Sequence, residues 1–382
     1  MAQGTSVLRY GNILERKQWM VEGMVQAASR SFWAGLTGNS KDSVVYQKND
    51  FTQGKGQTVI FDYTGNFASE GFRGKEQAFG NAKPKLKFSD SLVLEYGRYT
   101  VDNGMEFDAA TIGDIALSTH ENSRSLLADN YVRAKDQMFF DIGQGYLRGV
   151  GVTHRYLPNG ETSIANLTTA DKFSWDDLVN LETLAKTGQG FAVGDRRAPL
   201  KPFRLSNGKA VWLLVLDPWQ IQDLLQDPKF QAIYQNADVR GNGNTLISHA
   251  IAQVGSLVIM EAGTFAGFSK SNLLFKQGVE MQGLRTIDEA GTFSGTDTAQ
   301  SGVVASRALL LGAGAFQLGM GTMPDYKFQE SQDFGIVSES AVCLTMNVGK
   351  TKLTAEVEDY KQAKIAEMDY SVVAVDTYRE AI

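Results

Sequence analysis

The chain predicts an α+β fold that carries a long hairpin arm, and three observations predict it. Two strand-like runs, 57–62 and 86–96, flank about two dozen residues (63–85) rich in glycine and charge and poor in aliphatics. A stripe of Leu127, Tyr131, Ala134, Met138 and Ile142, recurring every third or fourth residue, marks one long helix across 121–147. Buried-strand patterns at 211–216, 256–261, 341–348 and 370–378 are interleaved with shorter capped helices.

The arm is the most informative element. Loops of that length without structure of their own are uncommon in compact domains and usually mark a functional or partner-contacting segment. A two-stranded ribbon is marginal in water by itself, so it needs a surface from elsewhere, and the expectation is that a neighbouring subunit supplies it. Charge agrees with this reading. Residues 1–100 hold 13 Lys and Arg against 9 Asp and Glu, a balance of +4, whereas 101–382 hold 24 against 34, a balance of −10. A basic extension and an acidic body suit docking of one copy onto the next.

The remaining elements follow in chain order. Met20, Met24, Ala28 and Phe32 recur every fourth residue, widened by Val21 and Val25, and Gly35 and Gly38 follow as stop signals. Such an N-terminal helix buries its stripe only against something else. The long helix places Arg124, Asp129, Arg133, Asp136 and Gln137 opposite its apolar stripe, which predicts a helix lying on a sheet with one side wet. Pro158-Asn159-Gly160 predicts a turn between short strands. Ser174 with Asp177 reads as a capping box for a helix through Leu178, Leu181 and Leu184, closed by Gly188. Asp217-Pro218 and Asp227-Pro228 each place an N-cap before proline at the first helical position. Residues 286–302 read as a flexible loop, 305–320 as a small-residue helix, and 356–364 as a charged segment between the last strands.

Composition narrows the function. With 382 residues, 43% hydrophobic content, 21 Phe, 13 Tyr and 5 Trp, the chain has core enough for two domains. No run reaches the ~18–20 apolar residues that span a bilayer, and residues 1–12 lack a signal-peptide apolar region, so a soluble protein made in the cytoplasm is expected, with no membrane partner. A net charge of −6 argues against nucleic-acid binding through a basic face. The single cysteine, Cys343, sits in an alternating apolar run and reads as a buried structural thiol.

No motif assembles an active site. Gly349-Lys350-Thr351 ends a strand-like run as a phosphate loop would, but Leu344 stands where that loop needs glycine, so a strand-to-turn glycine is the better reading. After Gly71-Phe72-Arg73-Gly74-Lys75 comes Glu76, where Ser or Thr would hold magnesium. Gly312, Gly314, Gly319 and Gly321 lack dinucleotide spacing, and close helix packing is expected instead. His120, His154 and His249 lack metal spacing and read as cap, turn or surface residues, and no G-x-S-x-G elbow occurs. The expectation is no catalytic residue, no cofactor and no metal.

Five segments carry a family resemblance: FTQGKGQTVIFDYTGNFASEGFRG entering the hairpin, DNYVRAKDQMFFD in the long helix, LDPWQIQDLLQDPKFQAIYQNADVRGNGN, ASRALLLGAGAF, and MDYSVVAVDTY near the end. Together with the order of parts, the chain resembles the major capsid proteins of tailed bacteriophages, the Hong Kong 97 capsid fold, and is most similar to the N-four-like podophage capsid family. The resemblance implies an N-arm (1–50), an extended loop (51–98), a peripheral domain (99–201) with its spine helix at about 121–147, an axial domain (202–323), and a return to the peripheral domain (324–382). It implies hexamers and pentamers closing an icosahedral shell around double-stranded DNA in the virion, assembled in the bacterial cytoplasm. Expected partners are further copies of the chain, a separate scaffolding protein, a portal and a decoration protein. Candidate intersubunit contacts are Arg73, Lys75, Lys83 and Lys85 on the loop, with Met20, Met24 and Phe32 on the N-arm. Two alternatives stand beside it: a non-viral compartment shell of the same fold, and a nucleotide-dependent enzyme resting on Gly349-Lys350-Thr351.

Overall fold

Two sheets share one helix. In chain order the longer elements are β1 (Val45–Asn49), β2 (Thr58–Thr64), β3 (Lys87–Val93), β4 (Glu95–Met105), α1 (Ala116–Gln144), α2 (Trp175–Thr187), β5 (Ala210–Leu216) and α3 (Pro218–Gln226). There follow β6 (Ala250–Val254), β7 (Leu257–Glu261), β8 (Thr286–Asp288), β9 (Val303–Leu311), β10 (Phe316–Met320), β11 (Asp325–Glu330), β12 (Val337–Lys350) and β13 (Val372–Tyr378). This computed structural model describes residues 31–49, 58–64, 72–77, 79, 87–105, 116–146, 151–188, 192–193, 196–197, 200–205, 208–231, 250–263, 283–288, 303–322, 324–330, 337–353 and 368–379. Met20, Met24, Ala28, Lys83, Lys85, His249 and the charged segment 356–364 lie outside the described residues.

The first sheet runs from a short strand at Thr37–Gly38 through β1, β10 and β12 to β11, with β4 also paired to β12. The second runs β6, β7, β5, β9, β13 and a short strand at Arg155–Tyr156, with β8 added on β9. Helix α1 lays Leu127, Ala128, Tyr131 and Val132 on Val342, Leu344 and Met346 of the first sheet. Its C-terminal half carries Phe139, Phe140 and Ile142 into a core shared with Trp33, Phe316, Leu309, Leu213 and Val215, so one cluster joins both sheets. The other face of the second sheet buries Trp212, Leu214, Leu310 and Val373 against Leu178 and Leu181 of α2. Burial on both faces explains why β5 reads as an unbroken apolar run.

Local signals in the sequence hold where chemistry is local. Ser174 and Asp177 cap α2 reciprocally, and Gly188 closes it at φ 65. Asp217 caps α3, its carboxylate accepting from the Trp219 and Gln220 amides, and the Lys229 amide donates to the Asp227 side chain at the second Asp-Pro. Cys343 is buried in β12.

Several expectations need correction. Residues 305–320 form no helix; they are β9 and β10, joined by a turn at Gly312–Ala315. The small-residue composition that suggested helix packing serves a strand buried on both faces instead, and Gly312 is tight against the Lys201 carbonyl, only 2.3 Å from where a Cβ would stand. Residues 286–288, expected in a loop, pair with β9. The turn at Pro158–Gly160 leads into further single helical turns, not a second strand. His154 is buried, not a surface residue.

The polar side of α1 is not wet over its last turns. Asp136, Gln137, Asp141 and Gln144 are all buried. Gln137 pairs with the backbone of Gly283 (2.8 and 3.1 Å), and Gln144 does the same with Arg285 (2.8 and 3.0 Å), each amide mimicking a strand neighbour. Arg285 closes a buried ion pair on Asp141, and Arg307 closes one on Asp376, so the charges that left water are paired. The last strand, β13, pairs with β9 in the second sheet, while β11 and β12 belong to the first.

Candidate assembly surface at the hairpin arm

The expected hairpin exists: β2 and β3 pair antiparallel from Thr58 opposite Val93 to Thr64 opposite Lys87. Alternation sets its two faces. Val59, Phe61, Tyr63 and Leu92 are buried, while Thr58, Ile60, Asp62 and Val93 face outward. The buried face is covered by the chain's own first sheet, which corrects the expectation that a neighbour must supply the whole surface. Phe61 meets Tyr46 edge-on at 5.3 Å, and Tyr63 lies 5.8 Å from Tyr370. Those rings make the root self-supporting.

The floor under the root comes from β10 and β12. Gln317 stands opposite Gly349 and Gly319 opposite Asn347, and the period of two puts these four residues and Gly321 on one face. The intervening Leu318 and Val348 turn into the core. A Cβ on Gly319 would lie 2.8 Å from Leu94 Cδ2, one on Gly321 2.9 Å from Leu94 Cδ1, and one on Gly349 2.9 Å from Leu92 Cδ1. Leucines therefore sit directly on bare backbone.

Polar bonds tie both strands to this floor. Gln317 Nε2 donates to Tyr63 Oη (3.3 Å) and to Asp90 Oδ2 (2.9 Å). The same Asp90 oxygen accepts from the Lys352 amide (3.0 Å), and Asn347 Nδ2 donates to the Val93 carbonyl (2.6 Å). Tyr63 Oη also shares a hydrogen bond with Thr351 Oγ1, and burial pushes its phenol up to about 12. Sequence reasoning missed Asp90, Gln317, Asn347 and the three glycines as a group. The signal was there as alternation of bulky and slight residues in Phe316-Gln317-Leu318-Gly319-Met320-Gly321 and Met346-Asn347-Val348-Gly349.

The tip differs in every respect. Residues 72–77 and 79 are all exposed, Phe72 at 46% and Phe79 at 90%. Arg73 and Lys75 flank Gly74, whose φ of 62 makes the turn, and Glu76 accepts from the Arg73 amide at 3.0 Å. Phe32, the described candidate of the N-arm, is half-buried within its own subunit: its ring lies 5.1 Å from Trp33 and 5.3 Å from Phe140, and its amide donates to Asp136 Oδ2 at 2.6 Å. Burial pushes the Asp136 carboxyl up to about 6, against the opposing pull of Lys135 and the bonds from Ser31 and Phe32.

Lys350, the lysine of the phosphate-loop lookalike, is buried and pairs with Asp369 at 2.7 Å while donating to the Gly151 carbonyl. Its ammonium serves the fold. Among the described residues no cluster of His, Cys, Asp or Glu could hold a metal, and no helix is long and apolar enough to cross a membrane.

This fold, with its clamped hairpin and a long helix spanning two sheets, is shared with solved structures. The capsid of Ralstonia phage GP4 superposes with a TM-score of 0.70 at 18% identity, covering 92% of this chain and 91% of that one. The head of Helicobacter pylori bacteriophage KHP40 gives 0.64 at 14% identity, with 92% and 91% covered. These establish the α+β Hong Kong 97-type fold. Residues 150–381 match the family described as phage capsid protein, and the chain belongs to that family. It is also 24% identical over 282 residues to the major capsid protein of Pseudomonas phage KPP25, covering 65% of this chain and 71% of that one. The chain is a structural protein of a phage virion, and it builds the capsid shell.

Proposed function

We propose that the shell closes as an icosahedron of hexamers and pentamers around double-stranded DNA, with the hairpin tip as the element that links neighbouring copies. The observation that carries this is the contrast within one hairpin: its root is buried on its own body, while Phe72, Arg73, Lys75 and Phe79 are exposed. Exposed aromatics flanked by cations suit a partner surface that is acidic at its rim, and the body of the next copy carries that balance. Lys83 and Lys85 add to the basic charge of the arm's sequence, and Met20 and Met24 of the N-arm, with Phe32, are further contact candidates.

On this reading 1–50 is the N-arm, 51–98 the extended loop, 99–201 with 324–382 the peripheral domain, and 202–323 the axial domain. The protein has no catalysis of its own, and its partners are a scaffolding protein, a portal and a decoration protein, with assembly in the host cytoplasm. Deleting 67–82 tests the central claim. The expected product is a soluble, folded subunit that forms no closed particle by electron microscopy; shells of normal size from the deletion would overturn it.

A further inference from the structure

We infer that the seat beneath the hairpin is a positioning device for assembly: Asp90, Gln317 and glycines 319, 321 and 349 fix the angle at which the arm leaves the body. The inference rests on the reading of the tip as an intersubunit contact. Adhesion alone does not explain the seat. The core-facing side of the same two strands is filled with Leu318 and Val348, whereas the arm-facing side has glycine at three positions, which weakens a strand interior. What the glycines permit is a specific depth: Leu92 and Leu94 rest on backbone with no intervening methyl group.

The hydrogen bonds fix direction as the glycines fix depth. Gln317 bonds at once to Tyr63 on β2 and to Asp90 on β3, so both strands are held by one side chain. Asp90 in turn receives the Lys352 amide, beyond the end of β12, and Asn347 holds the Val93 carbonyl where the hairpin ends. A ribbon tied on both strands and along its length cannot swivel about either one. Ten residues separate Thr64 from Gly74, a reach of at most about 35 Å, so a tilt of a few degrees at the seat carries the tip through ångströms. Tip contacts that must repeat in every copy of a closed shell depend on that angle.

The test compares Gly319→Ala/Gly349→Ala, Asp90→Ala, Gln317→Ala and Asp90→Asn with the parent chain and with the 67–82 deletion. Cooperative thermal unfolding checks the subunit, and sedimentation with electron microscopy reads the assembly products. The glycine, Asp90→Ala and Gln317→Ala variants are expected to unfold cooperatively yet lose at least about five-fold in uniform closed particles, giving open sheets or mixed diameters instead. Asp90→Asn, which keeps an acceptor oxygen, is expected to recover most of that yield. Faster amide exchange in β2 and β3, with the rest of the chain unchanged, supports the proposal should any one variant assemble too poorly to image. Wild-type yield and diameter from the glycine pair and from Gln317→Ala overturn the seat as a positioning device. If those variants assemble normally while the deletion blocks closure, only the seat fails; if the deletion assembles normally, the tip reading itself fails.

Discussion

The two ends of one hairpin obey opposite rules. At the root, Phe61 has no exposure, its strand alternates strictly between buried and exposed, and polar atoms on both strands find partners on β10 and β12. At the tip, Phe79 is 90% exposed and every described neighbour lies in solvent. The root thus belongs to the stability of the subunit, and on the proposed function the tip belongs to contact with other copies. A protein whose work lies between its copies separates the two within some twenty residues.

The largest test of that division is at the root. Phe61→Ala should destabilise the subunit by about 3–5 kcal/mol, the ordinary cost of emptying a buried aromatic site, read from urea unfolding. Phe79→Ala should leave unfolding unchanged and reduce only assembly. Equal unfolding midpoints for the two variants would erase the distinction.

A second root, that of the N-arm, extends the comparison to pH. Asp136 is buried with Ser31 and Phe32 on its oxygens and with Lys135 and Tyr131 as its titratable neighbours. Its folded value of about 6 lies above the ordinary 3.8, so the folded state holds the proton more tightly. The contribution to stability is full below about pH 4 and is lost as pH rises through 6. Asp136→Asn should therefore flatten the stability profile across that window, and an unaltered profile would remove Asp136 as its source.

Smaller still is Tyr63→Phe, which strips a hydroxyl from Thr351 and Gln317 while keeping the ring; it should cost about 1 kcal/mol. Smallest for the subunit is Arg73→Glu with Lys75→Glu. No change in melting temperature is expected, but assembly should slow, and added salt should slow it less or even speed it, as followed by light scattering at two ionic strengths. A drop in melting temperature would place these side chains at the root's end of the division.

What could be read from the sequence was what neighbours in sequence decide. The capping boxes at Ser174 and Asp217, the β5 run, the hairpin strands and most of α1 depend on residues within a few positions of one another. The failures are long-range. Residues 305–320 lack β-branched side chains over much of their length, and only pairing with β5, β13 and β12 makes them strands. Nothing near Gln137 or Gln144 announces that their amides meet Gly283 and Arg285, more than 140 positions away. The arm is legible as an arm, but its seat is not, because nothing beside Gly319, Gly321 and Gly349 in the sequence announces that they face Leu92 and Leu94.

The seat also sets an order of events during synthesis. Tyr63 waits for Thr351, 288 positions later, and Asp90 waits for Lys352, 262 positions later. The hairpin therefore leaves the ribosome long before the surface it rests on exists, with Phe61 and Leu92 uncovered through most of translation. Contacts of such separation fold slowly and expose sticky intermediates. A nascent chain of this design cannot seat its hairpin until β12 and the residues just beyond it have been made.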